Sequence, residues 1–298
     1  MALLNTEGGS LGLLDKFEIL HMPMLMDHKY FGLPYNSCEI DIPKAEVGLI
    51  SGGITDEMRL RIAEKMRRQC SVIVALGTCA AYGGIPASID SFEDEELFGG
   101  SRRGAEETDS ETNSVLDVPK FLGRTFALDE KIDVDITLPG CPPHPDRIAA
   151  VLESVINRKS LDWPLKAVCD SCPAKREGKG GVHKIRRFVK NARYQVNKPL
   201  SEMRCLLEQG FLCMGPVTLA GCAGTGGGLP RCIEARVPCR GCHGPVRKGG
   251  NQLLDILNAL ASNGIDTKDL AGRFLPHLFC GARAGLAGRR SVRTAPEF

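Results

Sequence analysis

Eight of the 13 cysteines fall within the 74 residues from Cys169 to Cys242. They read Cys169-x2-Cys172, then Cys205-x7-Cys213, then Cys222-x9-Cys232-x6-Cys239-x2-Cys242. Thiolates are ligands for zinc, copper(I) and iron–sulfur clusters, and eight of them suffice for two tetrathiolate sites. A zinc ribbon places two CxxC knuckles about 15–20 residues apart. Here 32 residues separate Cys172 from Cys205, and the later spacings are uneven. Uneven spacing with prolines beside the cysteines, as at Cys172-Pro173 and Pro238-Cys239, favours iron–sulfur clusters. A zinc-stabilised interaction module stays as the alternative. Sequence proximity groups Cys169, Cys172, Cys205 and Cys213 in one site and Cys222, Cys232, Cys239 and Cys242 in the other, with exchanges between them open. His183 and His243 read as ordinary surface histidines rather than ligands.

The elements that must position this chemistry begin upstream. Ala45 to Ile50 reads as a buried strand, Thr55 as the cap of a helix running to about Gln69, and Ser71 to Leu76 as a β-branched strand. This is a βαβ unit, which implies parallel strands. Cys79 follows the second strand in Gly77-Thr78-Cys79-Ala80, and Cys141 follows a third expected strand, Ile132 to Leu138, in Pro139-Gly140-Cys141-Pro142-Pro143. Ligands in open parallel sheets bind beyond the carboxyl ends of strands, so these two thiols are expected to face one point. The loop after Leu76 lacks the GxGxxG and P-loop lysine patterns of nucleotide sites.

Ile19 to Met22 reads as a short strand, and Met22, Met24 and Met26 as core or interface packing. Residues 88–114 read as an acidic surface insertion, Val115 to Leu128 as a helix, Asp146 to Asn157 as a helix, and Leu253 to Leu260 as another. A boundary is expected near Asp162 to Pro164, dividing the chain into residues 1–162 and 163–298. The class is α/β with a parallel sheet, followed by an irregular cysteine-rich part.

The formal charge is +2 over 298 residues with both signs interspersed, which argues against a nucleic-acid partner. No run of 18 apolar residues suggests membrane insertion. There is no basic segment followed by an apolar export core. Clustered thiols without an export signal point to a reducing, cytoplasmic setting.

Four separated motifs carry a resemblance. They are Gly77-Thr78-Cys79-Ala80; Leu138-Pro139-Gly140-Cys141-Pro142-Pro143; Cys205-Leu206-Leu207-Glu208-Gln209-Gly210 with Cys213-Met214-Gly215-Pro216; and Pro238-Cys239-Arg240-Gly241-Cys242 with Gly244-Pro245. In matching order, they resemble the small subunit of [NiFe] hydrogenases, in the cytoplasmic group with the methyl-viologen-reducing, F420-non-reducing enzymes. The resemblance implies a flavodoxin-like domain bearing a proximal [4Fe-4S] cluster and a C-terminal part bearing two more. Cys79 and Cys141 match two proximal ligands. Cys169, Cys172, Cys205 and Cys213 match the distal site, with Cys169 standing where many relatives have histidine. Cys222, Cys232, Cys239 and Cys242 match the medial site, where four cysteines imply [4Fe-4S].

One departure concerns the proximal site. The family's other two ligands lie in a CxxC just before a stretch like Leu3 to Glu7, where this sequence begins. Three readings stay open: a start further upstream, completion by Cys38 or Cys70, or an incomplete site. Cys280 reads as a spare thiol. The expected function is electron transfer between a nickel–iron centre in a partner large subunit and an external acceptor, with a further iron–sulfur or flavin subunit as partner. A stand-alone iron–sulfur carrier and the related quinone-oxidoreductase subunit are the rivals. Backbone amides of Gly77–Gly84 and Gly224–Gly228 are expected donors to cluster sulfurs. The Met-rich segment and the Gly83-Gly84 loop are expected at the large-subunit interface. Basic residues between Lys184 and Arg193 read as solvated surface or as a face for an acidic partner.

Overall fold

The computed structural model describes residues 16–22, 42–88, 119–161, 163–178, 182–186, 197–247 and 250–267. Strand β1, Ala45–Ser51, pairs in parallel with β3, Cys70–Leu76, from Ala45↔Cys70 through Ser51↔Leu76. Between them lie the short strand β2, Ile54–Asp56, and helix α1, Glu57–Gln69. The crossover helix is what lets neighbouring strands run parallel. The cap of α1 is Asp56, not Thr55: its carboxylate accepts the Arg59 N–H at 2.9 Å. The shift has a cause, since Ile54–Asp56 is drawn into pairing and the helix starts one residue later.

Beyond β3 the chain turns at Gly77 into α2, Thr78–Tyr82, and α3, Gly84–Ser88. Strand β4, Phe121–Phe126, pairs antiparallel with β2. The expected helix over Val115 to Leu128 is therefore overturned across its described residues. Gly123, at φ +79°, is a weak helix former, and Phe121, Leu122, Thr125 and Phe126 favour a pleated surface.

Strand β5, Ile136–Leu138, pairs in parallel with β3, giving the order β1-β3-β5. It is shorter than the seven residues from Ile132 expected for it. The Asp135 carboxylate accepts the Ile73 N–H at 2.7 Å and pairs with Arg67 at 2.5 Å, so a side chain ends the ladder there. Helix α4, Pro145–Ile156, follows, then α5, Arg231–Glu234, and α6, Gln252–Ser262, capped by Asn251. Residues 16–22 form no strand. Ile19 and Leu20 face solvent, and among the described residues no strand pairs with them.

Alternation along β3 sorts the core into layers. Ile73 and Ala75 face Ala63 of α1 with Ile54 and Leu128. Val74 faces the other way, onto Ile148, Val151 and Leu152 of α4. The sheet is thus covered on both faces, as parallel strands require. A third core, built on Leu206, Phe211, Met214, Ile256 and Leu260, underlies the cysteine-rich part and takes in Ala81 and Tyr82 of α2. No helix among the described residues is long and apolar enough to cross a membrane.

Candidate metal centre

Cys79 lies one residue into α2, beyond the carboxyl end of β3, and Cys141 lies three residues beyond β5. Their thiols interact electrostatically, so the two loops converge as the topology predicts. Burial pushes the Cys79 thiol up, the Cys141 thiol adds to that, and the Ile85 amide opposes it by donating to the sulfur. Gly84 permits this approach. Its φ is +61°, and a Cβ there would lie 2.6 Å from Cys79 Sγ.

Cys70 is not brought to this pair. It opens β3, at the end opposite Cys79, about 20 Å away along a seven-residue strand. Its sulfur packs against Gly48 in the core beneath α1. Cys38 and Cys280 lie outside the described residues, as do Met24, Met26 and the basic residues beyond Arg186 within the 184–193 stretch.

Cys169, Cys172, Cys205 and Cys213 converge from three loops. Burial pushes Cys169 up to about 12, with the thiols of Cys213, Cys172 and Cys205 adding to it and Arg176 opposing. Cys213, wholly buried, is likewise pushed up to about 12, against donation from the amides of Gly215 and Cys239. The Cys239 N–H lies 3.4 Å from Cys213 Sγ. Gly215 is flush with this site: a Cβ on it would stand 2.9 Å from Cys169 Sγ and 3.6 Å from Cys213 Sγ.

Cys222, Cys232, Cys239 and Cys242 form a second group. Burial raises Cys222, with Cys232 adding to it and the Arg231 amide opposing. Burial raises Cys239 far, and the thiols of Cys213, Cys232 and Cys242 add to it, against the Gly241 amide. Cys242 is pushed up to about 12 by burial and by Cys222, Cys232 and Cys141, although the Cys141 amide donates to its sulfur. The three groups are therefore contiguous, joined by Cys141 to Cys242 and by Cys239 to Cys213.

Sequence patterns located the thiols but not what holds them. The sulfur donors include the amides of Ile85, Ala174, Gly215, Arg231, Cys239, Gly241 and Cys141, with Cys79 and Cys222 also donating to their own sulfurs. Among the glycine-rich amides expected to donate, Gly77 binds Leu138 O, Gly83 binds Cys79 O, and Gly224 binds Gly221 O. The Thr78 hydroxyl ties three loops, donating to Cys242 O at 2.6 Å and accepting the Gly140 N–H at 3.1 Å. Its partner 164 residues away is invisible to local patterning. Thr78→Val leaves the buried Gly140 N–H and the half-buried Cys242 carbonyl without this partner, and is expected to cost about 1–3 kcal/mol in anaerobic denaturation. Thr78→Ser should cost far less, because it keeps the hydroxyl.

Gln252, buried in α6, spans Thr218 Oγ1 at 2.8 Å and the Gly241 and Gly244 carbonyls at 3.2 Å, fixing the loop that bears Cys239 and Cys242. His183 is exposed, as expected. His243 is not: it is 1% exposed and neither ring nitrogen has a hydrogen-bond partner. Burial lowers its pKa to about 4, with Arg147, Arg231 and His144 adding to the effect. Gly221 admits the ring, since a Cβ there would stand 2.8 Å from His243 Cε1.

Crowded buried thiols repel one another once ionised, and buried polar atoms without partners are rare. Both features fit a positively charged metal core bound by thiolates, which deprotonates them outright. Among the described residues no three His, Cys, Asp or Glu side chains close on a single metal ion.

A family profile described as NADH ubiquinone oxidoreductase, 20 Kd subunit, matches residues 1–155. A subunit of the F420-non-reducing hydrogenase of Methanothermobacter marburgensis is 31% identical over 255 residues, covering 85% of this chain and 76% of that protein. The iron-sulfur subunit of the F420-non-reducing hydrogenase of Archaeoglobus profundus is 34% identical over 279 residues, covering 88% and 83%. Among solved structures, a reduced, active form of the Ni-Fe-Se hydrogenase from Desulfomicrobium baculatum aligns over 82% of this chain and 89% of its own, at 22% identity and a TM-score of 0.46.

Proposed function

The chain belongs to the [NiFe] hydrogenase small-subunit family, alongside the iron-sulfur subunits of F420-non-reducing hydrogenases, and from that premise we propose that it relays electrons between the nickel–iron centre of a partner large subunit and an external redox partner. As a hydrogenase subunit it is part of an oxidoreductase acting on H2, and its family implies iron–sulfur clusters and a nickel–iron large subunit as partner. Beyond this we infer their number and order. Residues 1–162 are a flavodoxin-like domain bearing the proximal site, and residues 163–298 bear the medial and distal sites.

The observation that carries the relay is the contiguity of the thiol groups. Cys141 donates its amide to the Cys242 sulfur, and Cys239 donates its own to the Cys213 sulfur. Each neighbouring pair of sites thus shares a backbone unit. Cys79 and Cys141 would hold the proximal cluster together with ligands outside the described residues. Cys222, Cys232, Cys239 and Cys242 would hold the medial [4Fe-4S] cluster, and Cys169, Cys172, Cys205 and Cys213 the distal one.

When bound, an iron–sulfur cluster supplies one-electron transfer at a potential set by its type, its charge, hydrogen bonds to its sulfurs and its exposure. The chain's own residues set the last two. Leu206, Phe211 and Met214 exclude water beneath the distal and medial thiols. The amides of Gly215, Cys239, Gly241 and Cys141 point at ligand sulfurs. Thr78 and Gln252 fix the loops, so little reorganisation accompanies a change of charge. Cys141 is the exposed thiol of the proximal pair, which suits a docking face for the large subunit. A flavin or iron–sulfur subunit at the distal end, in the cytoplasm, completes the proposal.

The test is the visible spectrum of the anaerobic complex with its large subunit. The relay reading expects a broad brown absorption that bleaches under H2. A complex that activates H2 yet shows no such absorption would overturn it.

A further inference from the structure

We propose that Arg147 is a fixed counter-charge that raises the reduction potential of the site built on Cys222, Cys232, Cys239 and Cys242. The inference rests on the reading of that site as a cluster site. Arg147 leaves the buried face of α4 and is only 6% exposed. Its guanidinium lies over the Trp163 ring, 3.9 Å from the centroid. On the other side is Gly221: a Cβ there would stand 2.8 Å from Arg147 Cζ and Nη1 and 2.8 Å from His243 Cε1. The absent side chain is what lets the cation reach the backbone next to Cys222. Once ionised, Cys222 is a negative group that attracts it.

The Trp163 ring offsets part of the cost of burying the cation, and a neutral ring leaves its charge uncompensated. The Arg147 Nε has no hydrogen-bond partner, and among the described residues no carboxylate pairs with Arg147. An unpaired buried charge is costly, and an apolar side chain of similar volume would pack as well or better. A thiolate-bound group of net negative charge supplies the missing compensation. Its reduced form carries one more negative charge than its oxidised form. A fixed positive charge nearby therefore stabilises the reduced form more, and the potential rises. Arg231 also attracts Cys222, but its guanidinium is at the surface, on Pro142 O at 3.3 Å, where water screens it.

The experiment is an EPR-monitored redox titration of the complex with its large subunit, in wild type, R147M, R147K and R231M. In R147M, one cluster's reduced-to-oxidised ratio at fixed poise is expected to fall about tenfold, which for a one-electron couple is about 59 mV. The other midpoints should stay put, R147K should keep most of the wild-type value, and R231M should shift less than R147M. Unchanged midpoints in an iron-replete R147M would overturn the role of Arg147 and leave the relay intact. A wild-type complex with zinc in these thiols would overturn the relay reading itself. Should R147M not assemble, R147Q carries the same comparison. Loss of that one cluster in both neutral variants, with R147K intact, also supports the fixed charge. Loss in all three would make Arg147 a packing residue and overturn the proposal.

Discussion

Replacing Cys242 by serine is expected to remove the medial site's iron and to cut H2-driven reduction of a viologen dye by at least about 100-fold, a loss set beyond that of an outer-shell change. Cys242 links two of the thiol groups. It interacts with Cys222, Cys232 and Cys141, takes a hydrogen bond from the Cys141 amide, and offers its carbonyl to Thr78. Serine is smaller, harder and a poorer ligand, so the site loses one corner and its link to the Cys79–Cys141 pair together. H2 activation at the partner's nickel–iron centre should persist, seen as isotope exchange between H2 and water. If dye reduction and exchange fall in parallel, Cys242 is a fold determinant rather than a link in a relay.

Replacing Gly215 by valine is expected to empty the distal site. The backbone there is unstrained, so the effect is one of space alone. A Cβ already meets Cys169 Sγ at 2.9 Å and Cys213 Sγ at 3.6 Å, and branching adds two more carbons in that gap. Cys213 is buried in the core with Leu206 and Met214, and Cys169 sits on a short turn anchored in it by Val168, and interiors this dense yield little. Iron content should fall by about a third if three four-iron clusters are present and one is lost. Gly226 is the control: a Cβ there meets nothing within 4 Å, so G226A should bind iron normally. Equal iron in G215V and wild type would mean that Cys169 and Cys213 do not share a cluster.

The layout of the parallel sheet was legible because its cause is local. The β-branched run from Ser71 to Leu76, the intervening helix and the glycine turn each follow from residue type, and together they place Cys79 and Cys141 at adjacent strand ends. Strand β4 was not legible. Phe121–Phe126 forms only because β2 lies beside it, far away in sequence. Asp135 shortens β5 through a carboxylate that takes a ladder N–H, and a sequence pattern does not record such an exchange.

The cysteine cassette was legible as a list and not as a geometry. Proximity in sequence grouped the thiols, whereas the amides of Ala174, Gly215 and Arg231, which orient them, carry no side-chain signature. His243 was misplaced on the surface for a related reason. Polarity predicts exposure only when no buried partner is in view, and the space that His243 and Arg147 occupy is made by Gly221. Glycines beside a cysteine motif were the available signal, since close approach is one reason for a glycine.

Whether Cys169–Cys242 holds clusters within an electron relay is tested most directly by measuring iron, acid-labile sulfide and zinc on the anaerobically purified complex. Iron and labile sulfide are expected in near-equal amounts, at about eight or more iron atoms per chain from two four-iron sites. Stoichiometric zinc without labile sulfide would contradict the relay.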